Sequence, residues 1–448
     1  MRQNQKVYLL AMQEYNNQLI SQNLPTTIFA CIKPTDTVLL KPNWVKEGHI
    51  HKLEDWDYLI THPEVITAVI KRVIEKLGSG GKIIITDGPQ TDSSFSKILK
   101  HYPIDLWEAL TKEKNIDLEI LDLRDNEWIN EENVIVERKN LDGDPKGKTE
   151  VNLLDDASEF YLHEKSKRGY YGADYNIKET NKAHDGHNNL YSVSRTVIEA
   201  DVFINLPKLK THKKAGITCC LKNLVGINTY KNYLPHHSEG GPKHRGDQYS
   251  CENKNSKFEG PLVAFLKQHI LKRPFFARLL KPFVKVGTNV FGKTDNTIRS
   301  GNWYGNDTVW RMILDLNKVF FYANPEGSLR GNNWVNAKNY IGIVDAIIAG
   351  EGNGPMAPDP VKMGYIICGT NPVAIDAVCC KLMGFNYLKI PSICKAFDIK
   401  KYPITPFSIN DIDIEFENEK YNYFDIPKEL IKTVEPHFGW KNHIELDK

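Results

Sequence analysis

The alternation of strands and helices in the first third of the chain most constrains its fold. The segments KVYLLA (6–11), TVLLKP (37–42) and KIIITD (82–87) are short, apolar and rich in β-branched residues, which predicts strands. Between the last two, THPEVITAVIKRVIEKLGSGG (61–81) places its apolar residues on one helical face and ends in glycines, which predicts a helix. Consecutive units of this kind require right-handed crossovers. We therefore expect an α/β fold with a mainly parallel sheet and helices on both faces.

The same pattern returns later in the chain. The segment DVFINLP (201–207) predicts a strand, followed by a helix over about 214–225. The runs IGIVDAI (341–347) and GYIICG (364–369) predict two more strands. A helix should then begin after Asn371, which is a good N-cap and is followed by proline.

Two regions interrupt the alternation. Residues 124–190 are acidic and rich in Asn and Gly, which predicts a surface insertion with about two short strands. Residues 258–334 are mainly helical in pattern, basic and aromatic, and form a second insertion. The α/β core is then built from 1–257 and 335–448.

Composition excludes several classes of protein. The 448 residues are 41% hydrophobic and 25% charged, with a net charge of +2, so a dedicated nucleic-acid binder is not expected. None of the eight cysteines forms a C-x-x-C pair, and adjacent cysteines in apolar segments are expected to be buried in a reducing compartment. No secretory signal or membrane-length apolar run is present, which favours a cytoplasmic location.

Positive charge collects in one stretch. Between Asp201 and Glu239 there are six lysines and no acidic residue. Ligands of open α/β sheets bind beyond the carboxyl ends of strands, and lysines there suit phosphate or carboxylate groups. Lys222 and Asn223 interrupt an otherwise apolar segment, so they need a partner or a ligand. A solvated turn, with Lys222 paired to a carboxylate elsewhere, is the alternative. The six lysines are Lys208, Lys210, Lys213, Lys214, Lys222 and Lys231.

A histidine-rich loop follows these lysines. His212 is a candidate for acid–base catalysis, because nearby lysines should lower its pKa toward a neutral, base-competent form. Together with His236, His237 and Asp247 it could also bind a divalent metal, since imidazole and oxygen ligands suit zinc, iron or manganese. The spacing matches no standard metal motif, and plain surface histidines are the other interpretation.

Four segments together resemble one known family. LPKLKTHKKAGITCCLKNLVGI (206–227), VLLKPNWV (38–45), VDAIIAGEGNGPM (344–356) and GTNPVAIDAV (369–378) are similar to the domain of unknown function 362. The resemblance implies a bacterial or archaeal protein without an assigned general activity. Some members carry a ferredoxin-type cysteine cluster, but this chain lacks those cysteines, so no iron–sulfur cluster is expected.

These segments, together with the strand end at Asp87, supply the candidate site residues. Carboxylates from the second half of the core would face lysines from the first half across a cleft. The candidate catalytic residues are His212, Lys222, Asp376, Glu351 and Asp87. The candidate substrate-binding residues are Asn43, Lys208, Lys210, Lys213, Asn223 and Asn353.

The segment 260–293 has its own pattern. It contains seven Lys or Arg residues and no acid, with five phenylalanines among them and two prolines that break it into short amphipathic pieces. Such pieces are typical of helices that lie on an anionic membrane. A helical lid or a dimer contact is the alternative interpretation, and the sequence leaves the oligomeric state open.

The leading hypothesis is an enzyme (a hydrolase, transferase or isomerase) that acts on a small anionic, phosphorylated metabolite. The second hypothesis is a metal-dependent redox enzyme or lyase that uses the histidine-rich loop. The third is a membrane-peripheral binding or scaffold protein. These patterns do not determine the reaction, because hydrolysis, transfer and isomerisation all use such groups.

Overall fold

A computed structural model describes residues 5–131, 134–174, 176–251, 297–332 and 338–447. The strands are β1 (Gln5–Ala11), β2 (Thr37–Pro42), β3 (Lys82–Asp87), β4 (Asp117–Asp122), β5 (Asn126–Glu131), β6 (Val134–Asn140), β7 (Lys148–Asn152), β8 (Tyr170–Gly172), β9 (Leu190–Ser194), β10 (Val202–Leu206), β11 (Lys208–His212), β12 (Gly216–Thr218), β13 (Pro235–Ser238), β14 (Asn339–Asn353), β15 (Ala357–Gly369), β16 (Ile412–Phe416) and β17 (Glu419–Asn422). The α-helices are α1 (Asn17–Asn23), α2 (Pro63–Leu77), α3 (Phe95–Leu99), α4 (Ile104–Glu113), α5 (Ile177–Ala183), α6 (Arg195–Glu199), α7 (Cys220–Asn223), α8 (Val309–Tyr322), α9 (Pro372–Leu382) and α10 (Pro391–Cys394).

One large sheet organises the molecule, in the order β17-β16-β1-β15-β14-β10-β2-β3-β4. The run from β14 through β10, β2 and β3 to β4 is parallel throughout. Strand β15 pairs antiparallel with both β14 and β1. The sheet is therefore mainly parallel with an antiparallel hairpin inside it, as the strand–helix alternation predicts.

Helices cover both faces of this sheet because successive side chains of each strand point to opposite faces. Leu39 of β2 and Phe203 of β10 face the apolar cluster that contains α8 and α9. Leu40 and Ile204, one position further along, face the cluster that contains α1, α2 and α4. Strands buried on both faces explain why these segments are apolar throughout rather than alternating.

The prediction of a helix over 214–225 is wrong for most of that span. After β10 the chain continues as β11, which pairs parallel with β14 and antiparallel with β12, and only then forms α7, a single helical turn. The lysine-rich segment is thus a β-hairpin added to the end of the sheet. Its strand character depends on pairing with β14, more than 100 residues away in the sequence, and local patterns do not reveal such pairing.

The first insertion is more ordered than predicted. Its buried residues Val151, Leu153, Phe160 and Tyr170 belong to the same apolar cluster as α8. It is therefore a packed part of the domain rather than a surface excursion. The segment 260–293 lies outside the described residues. Among the residues that the structure describes, no helix is both long enough and apolar enough to cross a membrane.

Candidate functional site

A cavity of about 380 Å³ opens at the carboxyl ends of the parallel strands β2, β3 and β10. This is where an open α/β sheet binds ligands, because the chain leaves neighbouring strands there and exposes polar groups. Lysines, histidines, asparagines and aspartates from several separate segments of the chain line it. The charged and imidazole side chains in its lining are Lys41, Asp87, Asp92, Asp174, Lys210, His212, Lys213, Lys214, Lys222, Lys231, His236 and His237.

A buried ion pair lies at the base of the cavity. Lys41 near the end of β2 contacts Asp87 at the end of β3, with 2.7 Å between Nζ and Oδ1. The backbone N–H of Gly88 donates to Oδ1 of Asp87, and that of Trp44 donates to Oδ2. Asp87 thus lines the cavity as predicted, but its oxygens already accept these bonds. It fixes Lys41 and the two strand ends.

An amide network connects the hairpin to this base. Lys210 of β11 donates to the side-chain oxygen of Asn43, at 3.1 Å. The Asn43 amide donates to Asn223 of α7, and Asn223 donates in turn to Asn205 of β10. Burial is the largest cause that holds the pKa of Lys210 well below its usual value, followed by the charges of Lys208 and Lys222. The predicted residues Asn43, Lys210 and Asn223 are therefore brought together.

Lys222 differs from Lys41, which is paired with Asp87. The ammonium group of Lys222 makes no hydrogen bond or ion pair within the described parts of the chain, although the residue is half-buried. Burial lowers the pKa of Lys222 to about 8, and the charges of Lys41 and Lys231 contribute in the same direction. An amine with this pKa is mostly protonated at pH 7, so Lys222 presents a positive charge without a carboxylate partner.

Lys231 lies close to the same point. Its ammonium donates to the carbonyl oxygens of Gly88 and Asn228, at 2.9 and 3.0 Å, and burial lowers its pKa to about 8. Gly226 leaves room for the Lys41–Asp87 pair, since a Cβ there would lie 2.0 Å from Oδ1 of Asp87 and 2.7 Å from Nζ of Lys41. Lys41 and Lys231 were not predicted as site residues. Lys41 had a usable signal, because it interrupts an apolar strand as Lys222 interrupts an apolar segment.

Two histidines line the cavity in opposite tautomers. Nδ1 of His212 accepts from the backbone N–H groups of Lys214 and Ala215, both at 3.1 Å, so its proton is on Nε2. Nδ1 of His236 lies 2.8 Å from the carbonyl oxygen of Leu234, which can only accept, so Nδ1 carries the proton. Burial and then the neighbouring lysines hold both pKa values well below the usual value for histidine. Both rings are therefore neutral at pH 7.

The first insertion supplies a wall of the cavity, which the sequence did not predict. Trp128 and Asn130 of β5 and the segment Gly172–Asp174 line it. Oδ1 of Asp174 accepts from the hydroxyl of Thr91, and burial raises the pKa of Asp174 to about 6. The acidic, Asn-rich composition of this insertion is typical of surface loops and masks its role.

Several predicted site residues lie outside the cavity lining. Lys208 is paired with Asp345 at 2.6 Å, and both side chains are fully buried. Glu351 accepts from the backbone N–H of Glu435. Asn353 lies at the end of β14, opposite Ala357. Neither Glu351 nor Asp376 lines the cavity, so these carboxylates do not form the predicted arrangement that faces the lysines.

Asp376, predicted as a catalytic residue, lies outside the cavity lining and contacts the start of α7. Its carboxylate accepts from the backbone N–H groups of Cys220 (2.7 Å) and Leu221 (3.1 Å), which are the first two residues of α7. Burial raises the pKa of Asp376 to about 7. Asp376 therefore anchors the helical turn that carries Lys222 and Asn223, and it is a positioning residue.

The predicted metal ligands are not brought together. Within the described ranges, no three of His212, His236, His237 and Asp247 place ligand atoms within 4.8 Å of one another. Asp247 accepts instead from Ser238 N–H, Asp307 N–H and the hydroxyl of Thr308, so its oxygens are already in use. The structure thus does not gather these four residues into one cluster, and a metal site there stays a prediction.

A different group in the described residues has metal-ligand spacing. Cys219, Cys220 and Asp376 have donor atoms within 4.8 Å of one another, and all three are buried. The carboxylate is already occupied by α7, and burial raises the pKa of each thiol, which disfavours the thiolate that binds metals. These two cysteines are therefore better interpreted as buried apolar side chains, as the sequence predicts, than as ligands of a metal centre.

Comparison with known proteins places this arrangement in a family. Residues 38–142 and 169–381 match the family model described as Domain of unknown function (DUF362). A thylakoid-associated protein of Synechocystis sp. is 26% identical over 362 residues, which cover 81% of this chain and 67% of that protein.

Two solved structures were also found, each with a TM-score of 0.32. A protein from Thermotoga maritima is 8% identical and covers 79% of this chain. The lactate racemase apoprotein from Thermoanaerobacterium thermosaccharolyticum is 9% identical and covers 86%. The chain spans 56% and 57% of their lengths, less than two thirds of either.

The family match covers well over half of the sequence and includes the strand ends, the lysine hairpin and α9. It confirms the resemblance found in the four sequence segments. The chain belongs to the DUF362 family, a domain of unknown function.

Proposed function

We propose that this protein is an enzyme that binds a small anionic metabolite, one carrying a phosphate group, in the cavity at the strand ends. The observation that carries the proposal is Lys222, a protonated and half-buried amine without a hydrogen bond or ion pair in the described structure. Burying an ammonium without a partner is unfavourable, so its retention at this point is best explained by an anionic ligand.

The charge balance of the cavity supports the same conclusion. Six lysines line it against three aspartates. Asp87 is paired with Lys41, and Asp92 is paired with Lys46, at 3.2 Å. The lysines therefore give the lining an excess of positive charge, which the neutral rings of His212 and His236 do not change. A cavity of about 380 Å³ lies within the usual range for small-molecule sites, roughly 300–1,000 Å³.

Thermal unfolding with added anions tests the proposal. Inorganic phosphate and a panel of phosphorylated metabolites should raise the melting temperature, by roughly 2–5 °C for a ligand at about 100 times its dissociation constant. The variant Lys222→Ala should lose most of this increase. The control Lys33→Ala removes an exposed lysine far from the cavity and should retain it. A melting temperature that no phosphorylated compound changes would contradict the proposal.

A membrane-surface contact through residues 260–293 is a second proposal, independent of the cavity. It rests on the seven basic residues and five phenylalanines of this segment. The description of the Synechocystis relative as thylakoid-associated is compatible with it. Each basic residue near an anionic surface contributes about 1 kcal/mol, and salt screens this attraction.

Vesicle co-sedimentation tests that contact. The full chain should sediment with vesicles that contain anionic lipid at low salt, and much less with neutral vesicles or at high salt. A chain that lacks 260–293 should stay in the supernatant. Full recovery of the intact protein in the supernatant with anionic vesicles at low salt would leave the lid or dimer interpretation.

A further inference from the structure

Two of the three cavity histidines, His212 and His236, present opposite chemical groups to a ligand. In His212 the ring nitrogen that is free to meet a ligand is Nε2, and it carries a proton. In His236 the corresponding Nε2 has a lone pair, because Nδ1 donates to the carbonyl of Leu234. Neither Nε2 has a hydrogen-bond partner in the part of the chain that the structure describes. One ring is therefore a donor and the other an acceptor, in the same cavity.

His212 and His236 cannot exchange their donor and acceptor roles without losing their hydrogen bonds to the backbone. Protonation of His212 at Nδ1 would set that proton against two backbone N–H groups that point at the same atom. His212 therefore remains a neutral donor. His236 can accept a proton at Nε2 while it keeps its bond to Leu234, because both ring nitrogens of an imidazolium donate. Of these two rings, only His236 is therefore able to act as a base.

We infer that His236 is a general base and His212 the electrophilic hydrogen-bond donor in a proton abstraction from carbon next to a carbonyl group. The inference rests on the anion site proposed above, which makes the substrate class a phosphorylated aldehyde or ketone. It assigns a reaction type to the cavity, namely enolisation, as in isomerisation or elimination.

The step balances without a further reactant. The C–H bond breaks and its proton binds Nε2 of His236. The electron pair forms a carbon–carbon double bond, and the carbonyl electrons move to oxygen. That oxygen accepts from Nε2–H of His212, while the ammonium of Lys222 offsets the added negative charge. A neutral imidazole suits this donor role because its Nε2 proton is closer in acidity to an enol than a cationic imidazole would be.

The tautomers are open to direct measurement on the whole chain. In protein labelled with ¹⁵N-histidine, long-range ¹H–¹⁵N spectra should show His212 protonated on Nε2 and His236 protonated on Nδ1 at pH 7. The variants His212→Asn and His236→Asn assign the signals. Identical tautomers in the two rings, or a fully cationic His212, would overturn the inference.

Exchange in D₂O tests the chemistry. A panel of phosphorylated aldehydes and ketones, followed by ¹H NMR, should contain a compound whose α-proton is replaced by deuterium. In His236→Asn the side-chain amide can still donate to Leu234, but the base is gone, so exchange should fall about 10²–10⁴-fold. In His212→Asn the side-chain oxygen can still accept from the two N–H groups, and a fall of about 10²–10³-fold is expected. The control His244→Gln changes an exposed histidine and should exchange normally.

The outcomes separate this inference from the proposed function. Stabilisation by phosphate that depends on Lys222, without exchange of any compound in the panel, would reject the enolisation and leave the anion site intact. Exchange that is equal in His236→Asn and in the unchanged protein would reject the base assignment. Absence of both stabilisation and exchange would reject the two proposals together.

Discussion

At the scale of single residues, the main feature of the cavity is a set of lysine ammonium groups whose positive charge is not fully balanced by carboxylates. Lys222 interrupts an apolar segment. The sequence alone marked it as a candidate site residue, because a charged group in such a segment needs a partner or a ligand. Lys208 looks the same in sequence but is paired with Asp345 in the core. The difference between the two lysines depends on a strand more than 100 residues away, so no local pattern could distinguish them.

The pKa of Lys222 gives a pH-dependent prediction. If its ammonium binds the anion, as proposed, binding should depend on the pKa of Lys222, which burial lowers to about 8. The protonated form that can bind predominates below pH 8 and is lost as the pH rises through 8. Sulfate is the suitable probe because its charge is constant in this range. Its affinity should fall by about tenfold for each pH unit above 8 when one lysine must be protonated, and more steeply if Lys231 also titrates, since its pKa is also about 8.

The variant Lys222→Arg serves as the matched control, because a guanidinium stays protonated in this range. Binding of sulfate to this variant should depend less steeply on pH between 8 and 10. An affinity for sulfate that is constant up to pH 10 in the unchanged protein would contradict the assignment of Lys222 as the anion-binding cation.

At the scale of elements, the hairpin β11–β12 and the single turn α7 form the cation-bearing side of the cavity. The core strands and α2 were predictable because each carries a complete local signal, such as the apolar face and final glycines of α2. The hairpin was not, since KLKTH becomes a strand only through its pairing with β14. The turn α7 is too short to be stable alone and depends on the Asp376 carboxylate from α9.

Replacing Asp376 tests that dependence. The variant Asp376→Asn turns one acceptor oxygen toward a donor and leaves an N–H of α7 without its partner. A loss of about 1–3 kcal/mol in the free energy of unfolding is expected, measured by urea denaturation. Binding of phosphate should weaken as well, because Lys222 and Asn223 lie on α7. The control Asp398→Asn removes an exposed carboxylate and should change neither quantity. Unchanged phosphate affinity in Asp376→Asn would argue against the positioning role.

At the scale of the whole molecule, the parallel sheet fixes where the cavity lies and the first insertion completes it. The fold class and the location at the strand ends followed from the order of strands and helices. The contribution of Trp128, Asn130 and Asp174 did not, because their polar, irregular context is typical of solvent-exposed loops. Long-range hydrogen bonds help to hold this wall in place: the backbone N–H of Trp128 donates to the carbonyl oxygen of Thr91, and the hydroxyl of Thr91 donates to Asp174.

Changes in this wall should affect organic ligands and spare the inorganic anion. The variants Asp174→Asn and Trp128→Phe should change the order of preference among phosphorylated metabolites, by roughly tenfold for a lost hydrogen bond or stacking contact. Affinity for inorganic phosphate should stay within about twofold, since the cations lie on the hairpin and strand ends. Isothermal titration of both ligand types gives the comparison. Equal losses for phosphate and for the organic ligands would show that the wall supports the whole cavity.

The separate origin of the cavity's two sides has a consequence for how its selectivity can change. The charged end is built from strands that also hold the domain together, so a substitution there endangers folding, as the buried Lys41–Asp87 pair illustrates. The opposite side comes from a segment that the central sheet does not need for its pairing. Substitutions in that segment alone can therefore change which ligands are preferred. The proposed contacts with the anionic group that these ligands share would stay the same.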